Sequence, residues 1–300
     1  MASMRFAWGG LWLGLGAGIG SVACGSGAAN SPPAASAASA TAEDDATADL
    51  TEHHRFHHHG GVTLLIAMSL DSLGVSPDQR LAVEKVRNDL HARMEPARLA
   101  EERLFARLAD GLAAGTIETT KVDAEIAQAT SAAAATPEAS AQALNDLHSA
   151  LTPPQRAALA DKVEAHWAVW QRANAEATGA GNPDGEHLAE LAEDLGLSPD
   201  QVEKIRAALD GATKGVAPRD PREIGAYVRA FGDAFRTDRF DARELTMASE
   251  ANAHMVGWGE SNLAHIVEAA NPVLTPDQRS KLAERLREHA AHDPSGPVSP

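Results

Sequence analysis

Four short segments constrain this chain more than any other feature: VSPDQR at 75–80, LTPPQR at 151–156, LSPDQV at 197–202 and LTPDQR at 274–279. In each, a hydroxyl residue precedes a proline, and a glutamine follows two places after it. Ser or Thr suits the N-cap of a helix, where its oxygen accepts from an orphan backbone N–H. Proline suits the first helical position, where its missing N–H costs nothing. Glutamine then falls at N3, from which it reaches back to the N-cap amide and closes a capping box. Ser76 with Gln79, Thr152 with Gln155, Ser198 with Gln201 and Thr275 with Gln278 therefore predict four helix starts. Asp78, Asp200 and Asp277 place negative charge in three of the first turns, where the helix dipole favours it.

The spacing of these segments predicts an internal duplication. Ser76 and Ser198 are 122 positions apart, and Leu151 and Leu274 are 123 apart. Between them GTIETTKV at 115–122 is echoed by DRFDAREL at 238–245, again at 123. Three markers in register divide the body into two copies of one unit, 62–178 and 186–292, joined by a linker at 179–185 and followed by a disordered tail at 293–300.

Helical periodicity follows each cap. Val83, Val86, Leu90, Met94, Ala97, Leu104 and Leu108 form one stripe down a long helix that should end near Asp110 and Gly111. Leu159, Val163, Trp167 and Trp170 form a second. In the other copy Val202, Ile205 and Leu209 begin a helix that Gly211 to Pro221 interrupts. A fresh one runs from Arg222 to about Thr237 with Ile224, Val228, Phe231 and Phe235. No segment alternates with period two, so the expected fold is all-α: two tandem units of long antiparallel helices. Ile117 and Phe240 are read as matching apolar anchors of a turn entering a helix. Five Trp, six Phe and one Tyr are too few for one deep core, which favours two modest ones.

The first residues have a different character. Arg5 is the only charge before Cys24, and an apolar run, FAWGGLWLGLGAGIG, precedes SVAC. That is the layout of an export signal over 1–23. It resembles a bacterial lipoprotein signal in which Cys24 becomes the acylated first residue. The expected location is the periplasm or outer membrane, lipid-anchored if Cys24 is acylated. Residues 24–61 are small and acidic until a His-rich end, and read as a disordered linker.

Paired LTxxQ segments, one near the start of a helical unit and one before its last helix, together with an export signal, resemble the Spy/CpxP family of periplasmic stress and heavy-metal resistance proteins. LTPPQR and LTPDQR match the second segment, VSPDQR and LSPDQV the first. FHHHGGVTLLIAMSLDSLGV at 56–75 is similar to the family's His-rich entry and short leading helix. The resemblance implies a non-catalytic helical cradle, commonly dimeric, that holds unfolded envelope proteins, restrains a sensor kinase or binds heavy metals. Duplication within one chain would supply both halves of such a dimer, leaving the intact chain a monomer.

The residues themselves point away from catalysis. There is no GxSxG, HExxH, Walker loop or dinucleotide fingerprint, and the one thiol belongs to the signal. A formal charge of −16 argues against nucleic acid as a partner. Carboxylates on helices read as solvated faces. No cofactor is required, but His53, His54, His57, His58 and His59 crowd into seven positions, and neutral imidazoles bind Zn, Cu or Ni ions. The competing reading is a solubilising tract. His254 and His265 are read as helix-surface or core residues, and His289 with His292 near the chain end is an isolated pair that could bind a metal.

A protein-binding surface rests on other residues. Arg80, Lys85, Arg87, Arg93, Arg98, Arg103 and Arg107 share the first long helix with Glu84, Asp89, Glu95, Glu101 and Glu102. With Met68, Met94, Met247 and Met255 as plastic contacts they could hold unfolded or envelope proteins; pairing among themselves explains the same charges with no partner. A structural lipoprotein is the third class.

Overall fold

Each of the four capping segments starts a helix in the computed structural model, which describes residues 59–174, 186–213 and 221–291. Among these residues the fold is all-α. The helices are α1 (Val62–Asp71), α2 (Pro77–Ala114), α3 (Thr119–Ala150), α4 (Pro153–Asn174), α5 (Glu186–Leu195), α6 (Pro199–Thr213), α7 (Pro221–Arg236), α8 (Ala248–Ala270) and α9 (Pro276–Ala291), with a 3-10 turn at Ala242–Glu244. None of the described helices is long and apolar enough to cross a membrane.

The glutamine half of the capping box forms at all four starts. The backbone N–H groups of Ser76, Thr152, Ser198 and Thr275 donate to the Oε1 atoms of Gln79, Gln155, Gln201 and Gln278 at 2.9–3.0 Å. The side-chain amides then do something the capping argument does not contain. Gln79 Nε2 donates to the Ala150 carbonyl at the end of α3 and to Gln155 Oε1, while Gln155 Nε2 donates to the Gly74 carbonyl. In the other pair, Gln201 Nε2 donates to the Val273 carbonyl and to Gln278 Oε1, and Gln278 Nε2 to the Leu195 and Gly196 carbonyls. Each glutamine therefore caps its own helix and ties down the chain that enters its partner's.

α2 extends past the expected stop near 110–111. Gly111 is tolerated inside it because the site is crowded: a Cβ there would lie 2.8 Å from Ile117 Cγ1. The helix ends at Gly115, whose φ of 73° is the left-handed conformation that glycine adopts without strain. α7 follows the expected span closely. α2 runs unbroken over 38 residues.

Side chains bury into two apolar cores. One takes α1, the first half of α2, the end of α3, α4, α7 and the start of α8, with Trp167, Trp170, Tyr227, Phe231 and Phe235 as its largest groups. The other takes the second half of α2, the start of α3, α5, α6, the end of α8 and α9. α2 and α3 form a long antiparallel pair, α8 lies along α3, α9 packs on α2 and α7 packs on α4.

Candidate functional site

Between the two cores the packing changes. Ala97 and Ala100 of α2, Ala129 and Ala133 of α3 and Val256 of α8 form a separate small cluster, and their short side chains let three helices approach closely. At or one turn from this waist lie the buried polar residues His59, Glu101, Thr136, Asn252 and Glu260.

His59 falls within the expected linker at 24–61, and it is 2% exposed; residues 59–61 form a buried turn leading into α1. Two glycines explain how the backbone enters. A Cβ on Gly60 would collide with Met94 Sδ, and Gly61, at φ 55°, sits where a Cβ would lie 2.8 Å from the Asn252 side chain. Asn252 of α8 fixes the turn. Its Oδ1 accepts from the Val62 N–H at 3.0 Å, and its Nδ2 donates to the Gly60 carbonyl and Thr63 Oγ1 at 3.1 Å. An asparagine from another helix thus supplies the cap that the start of α1 lacks locally.

Held there, His59 places Nδ1 2.9 Å from Glu101 Oε2, with both side chains buried. Glu260 of α8 is 2% exposed, and neither carboxyl oxygen has a hydrogen-bond partner. Burial, and secondarily the charge of Glu101, holds the Glu260 carboxyl well above the usual carboxylate range. A buried unpaired charge costs several kcal/mol, on the order of 5, so the neutral acid is the form that fits this site without a cation.

No family model, no curated protein and no solved structure matches the chain. The site therefore has to be read from its chemistry. An imidazole and two carboxyls share this dry layer as potential N and O donors, whereas the one group among the described residues whose three ligand atoms lie within 4.8 Å of one another is Glu223, Glu250 and His254 at the surface. An imidazole donor favours late first-row ions over magnesium or calcium.

Of the sequence-nominated ligands only His59 is described; His53, His54, His57, His58 and the lipidation candidate Cys24 lie outside the described residues. Glu101 and Glu260 were not nominated, although a signal existed. Glu101 sits four residues after Ala97 and three before Leu104, on the apolar stripe itself, and Glu260 sits four from both Val256 and Ala264. On the surface, His254 Nδ1 lies 2.9 Å from Glu223 Oε2, and Glu250 brings a third ligand atom within 4.8 Å. His289 instead packs edge-on against Phe105.

The charges of α2 are largely paired. Lys85 binds Asp89, Arg87 binds Asp71, Arg98 binds Glu95 and Glu102, and Arg103 and Arg107 share Glu125. Two large apolar side chains of α2 are also open to solvent: Leu81 is 78% and Leu99 40% exposed. They are 18 residues apart, five turns, on one face roughly 27 Å long.

Proposed function

We propose that the chain is a non-catalytic, exported binding protein that holds a divalent late first-row cation, Zn, Cu or Ni, at its waist through His59, Glu101 and Glu260. The observation that carries this reading is Glu260, a buried carboxyl with no hydrogen-bond partner among the described residues and under the influence of the Glu101 charge. The export signal at 1–23 and the Cys24 that follows it support a periplasmic or outer-membrane location.

Calorimetric titration of the chelator-treated full chain with Zn²⁺ tests it. One equivalent should bind at micromolar affinity or better. Glu260→Gln and His59→Ala should each weaken binding by about 10- to 100-fold, the usual cost of losing a ligand or its orienting partner. Replacing His53, His54, His57 and His58 together should leave that event in place. Loss of binding in the tract variant, with none in Glu260→Gln, would overturn the assignment.

The architecture we propose is an intramolecular pseudo-dimer. Leu104, Phe105, Leu108 and Leu112 of α2 stand 123 positions before Tyr227, Val228, Phe231 and Phe235 of α7, and all eight are buried. The α2 set packs in the core with α5, α6 and α9, and the α7 set in the core with α1 and α4. Polar ties follow the same exchange: Asn271 Nδ2 donates to the Gly115 carbonyl, and His148 Nε2 lies 2.8 Å from the Thr237 carbonyl. Each half thereby completes the other's core.

Leu81 and Leu99 favour a second reading, in which the protein holds unfolded or envelope proteins, or a sensor kinase, without ATP. Suppression of aggregation of an unfolded test protein, lost in Leu81→Ser/Leu99→Ser, tests it; equal aggregation at several molar ratios would end it.

A further inference from the structure

Among the described residues, only α2, α3 and α8 contribute buried side chains to both apolar cores: Leu90 and Leu108 of α2, Leu147 and Val122 of α3, and Met255 and Val267 of α8 stand on opposite sides of the waist. Each of these helices carries proline or glycine where it crosses. Pro96 lies inside α2 beside Ala97 of the small central cluster, and Pro137 lies inside α3 one turn beyond Ala133 of the same cluster. In α8, Gly257 and Gly259 follow Val256, the cluster's third contributor. Proline has no N–H, so the Ala92 carbonyl in α2 and the Ala133 carbonyl in α3 lose the donor four residues on. Asn252 Nδ2, 3.5 Å from the Ala133 oxygen, is a distant substitute. Gly257 admits Thr130, whose Oγ1 would lie 2.9 Å from a Cβ there, and two glycines so close together weaken the middle of α8.

We propose that the waist is a hinge: the two cores move as bodies, and α2, α3 and α8 bend together at Pro96, Pro137 and Gly257–Gly259. Packing at this level does little to oppose bending. The cluster is four alanines and one valine, so the helices can change angle without unseating a large side chain, while each core keeps its own contacts. The ion pairs of Arg98 with Glu95 and Glu102 run along α2 past Pro96, but they are partly exposed and hold the helix only weakly. The hinge does not depend on a cation at the waist.

Hydrogen exchange of the full, chelator-treated chain tests this. A long helix without a hinge frays from its ends, so its middle exchanges slowest. The hinge reverses that order. Corrected for intrinsic rates, amides of 97–100 in α2, 133–136 in α3 and 257–260 in α8 should exchange at least about tenfold faster than those of 104–108, 143–147 and 264–267, although Ala97, Ala100 and Ala133 are buried. Pro96→Ala, at an exposed position, returns a donor to the Ala92 carbonyl and should slow 97–100 by at least about fivefold. Pro137→Ala should do the same for 133–136. Protection that is level along the three helices, or that peaks at the waist, would overturn the hinge. A minimum that both variants leave unchanged would overturn it as well, since the prolines would not be its cause. If Pro137→Ala does not fold, Pro96→Ala and the unaltered chain decide.

Discussion

Gln79 and Gln155 hydrogen-bond each other through their side-chain amides at 2.9 Å while each also accepts from its own N-cap amide. Removing either breaks a cap and a tie between two helix entries, and leaves half-buried backbone groups to find water. Gln79→Ala or Gln155→Ala should therefore cost about 1–3 kcal/mol in denaturant unfolding, more than Ser76→Ala at about 0.5–2. The double variant should cost less than the sum, since the pair is one unit. The same ordering should hold for Gln201 and Gln278. Additive costs would show that the glutamines act only as caps.

The order of those costs is where sequence reasoning stops. A capping box is legible because Ser, Pro and Gln occupy fixed offsets along one helix. The amide donated across to Ala150 or Val273 joins residues more than 70 positions apart, and no local pattern encodes it. The start of α7 at Pro221 was legible for the same local reason, while residues 214–220 lie outside the described residues. That α7 packs on α4 was not, because a stripe of Phe and Val says that a face is buried and not against what. Glu101 was misread as a surface charge because charged residues flank it, although its own position lies on the apolar stripe.

The proposed exchange of α7 and the second half of α2 makes a prediction about pieces. Residues 50–300 should be monomeric by light scattering, because a short connection keeps each half at an effective concentration near millimolar for the other. Fragments 50–180 and 184–300 should dimerise alone or bind each other when mixed. Phe235→Ala should destabilise the intact chain by about 3–5 kcal/mol and Leu112→Ala by about 2–5, since each leaves a cavity in the core of the opposite half. Folded, monomeric fragments without mutual affinity would contradict the pseudo-dimer.

Glu260 gives the chelator-treated protein a pH dependence with a defined sign. Its carboxyl titrates higher folded than unfolded, chiefly through burial, so the folded state holds the extra proton. Its contribution to stability is complete below the unfolded value, near 4.5, and is lost as pH rises toward the folded one. Thermal unfolding temperature should fall over that interval, and Glu260→Gln should flatten the fall. An unchanged profile in the variant would show that Glu260 ionises without cost.

The surface group of Glu223, Glu250 and His254 supplies a control. Its ligand atoms are close but solvated, so ordering them gains little over water. Glu223→Gln/His254→Ala should leave the tight calorimetric event unchanged. Loss of that event would move the cation to the α7–α8 surface.

X-ray absorption at the zinc edge, on the full chain loaded with one equivalent, tests the waist assignment most directly. The account predicts a first shell of nitrogen and oxygen at about 2.0–2.2 Å, with multiple scattering from a single imidazole and no sulfur. Three or more imidazoles would place the ion in the histidine tract at 53–58 and contradict the waist site.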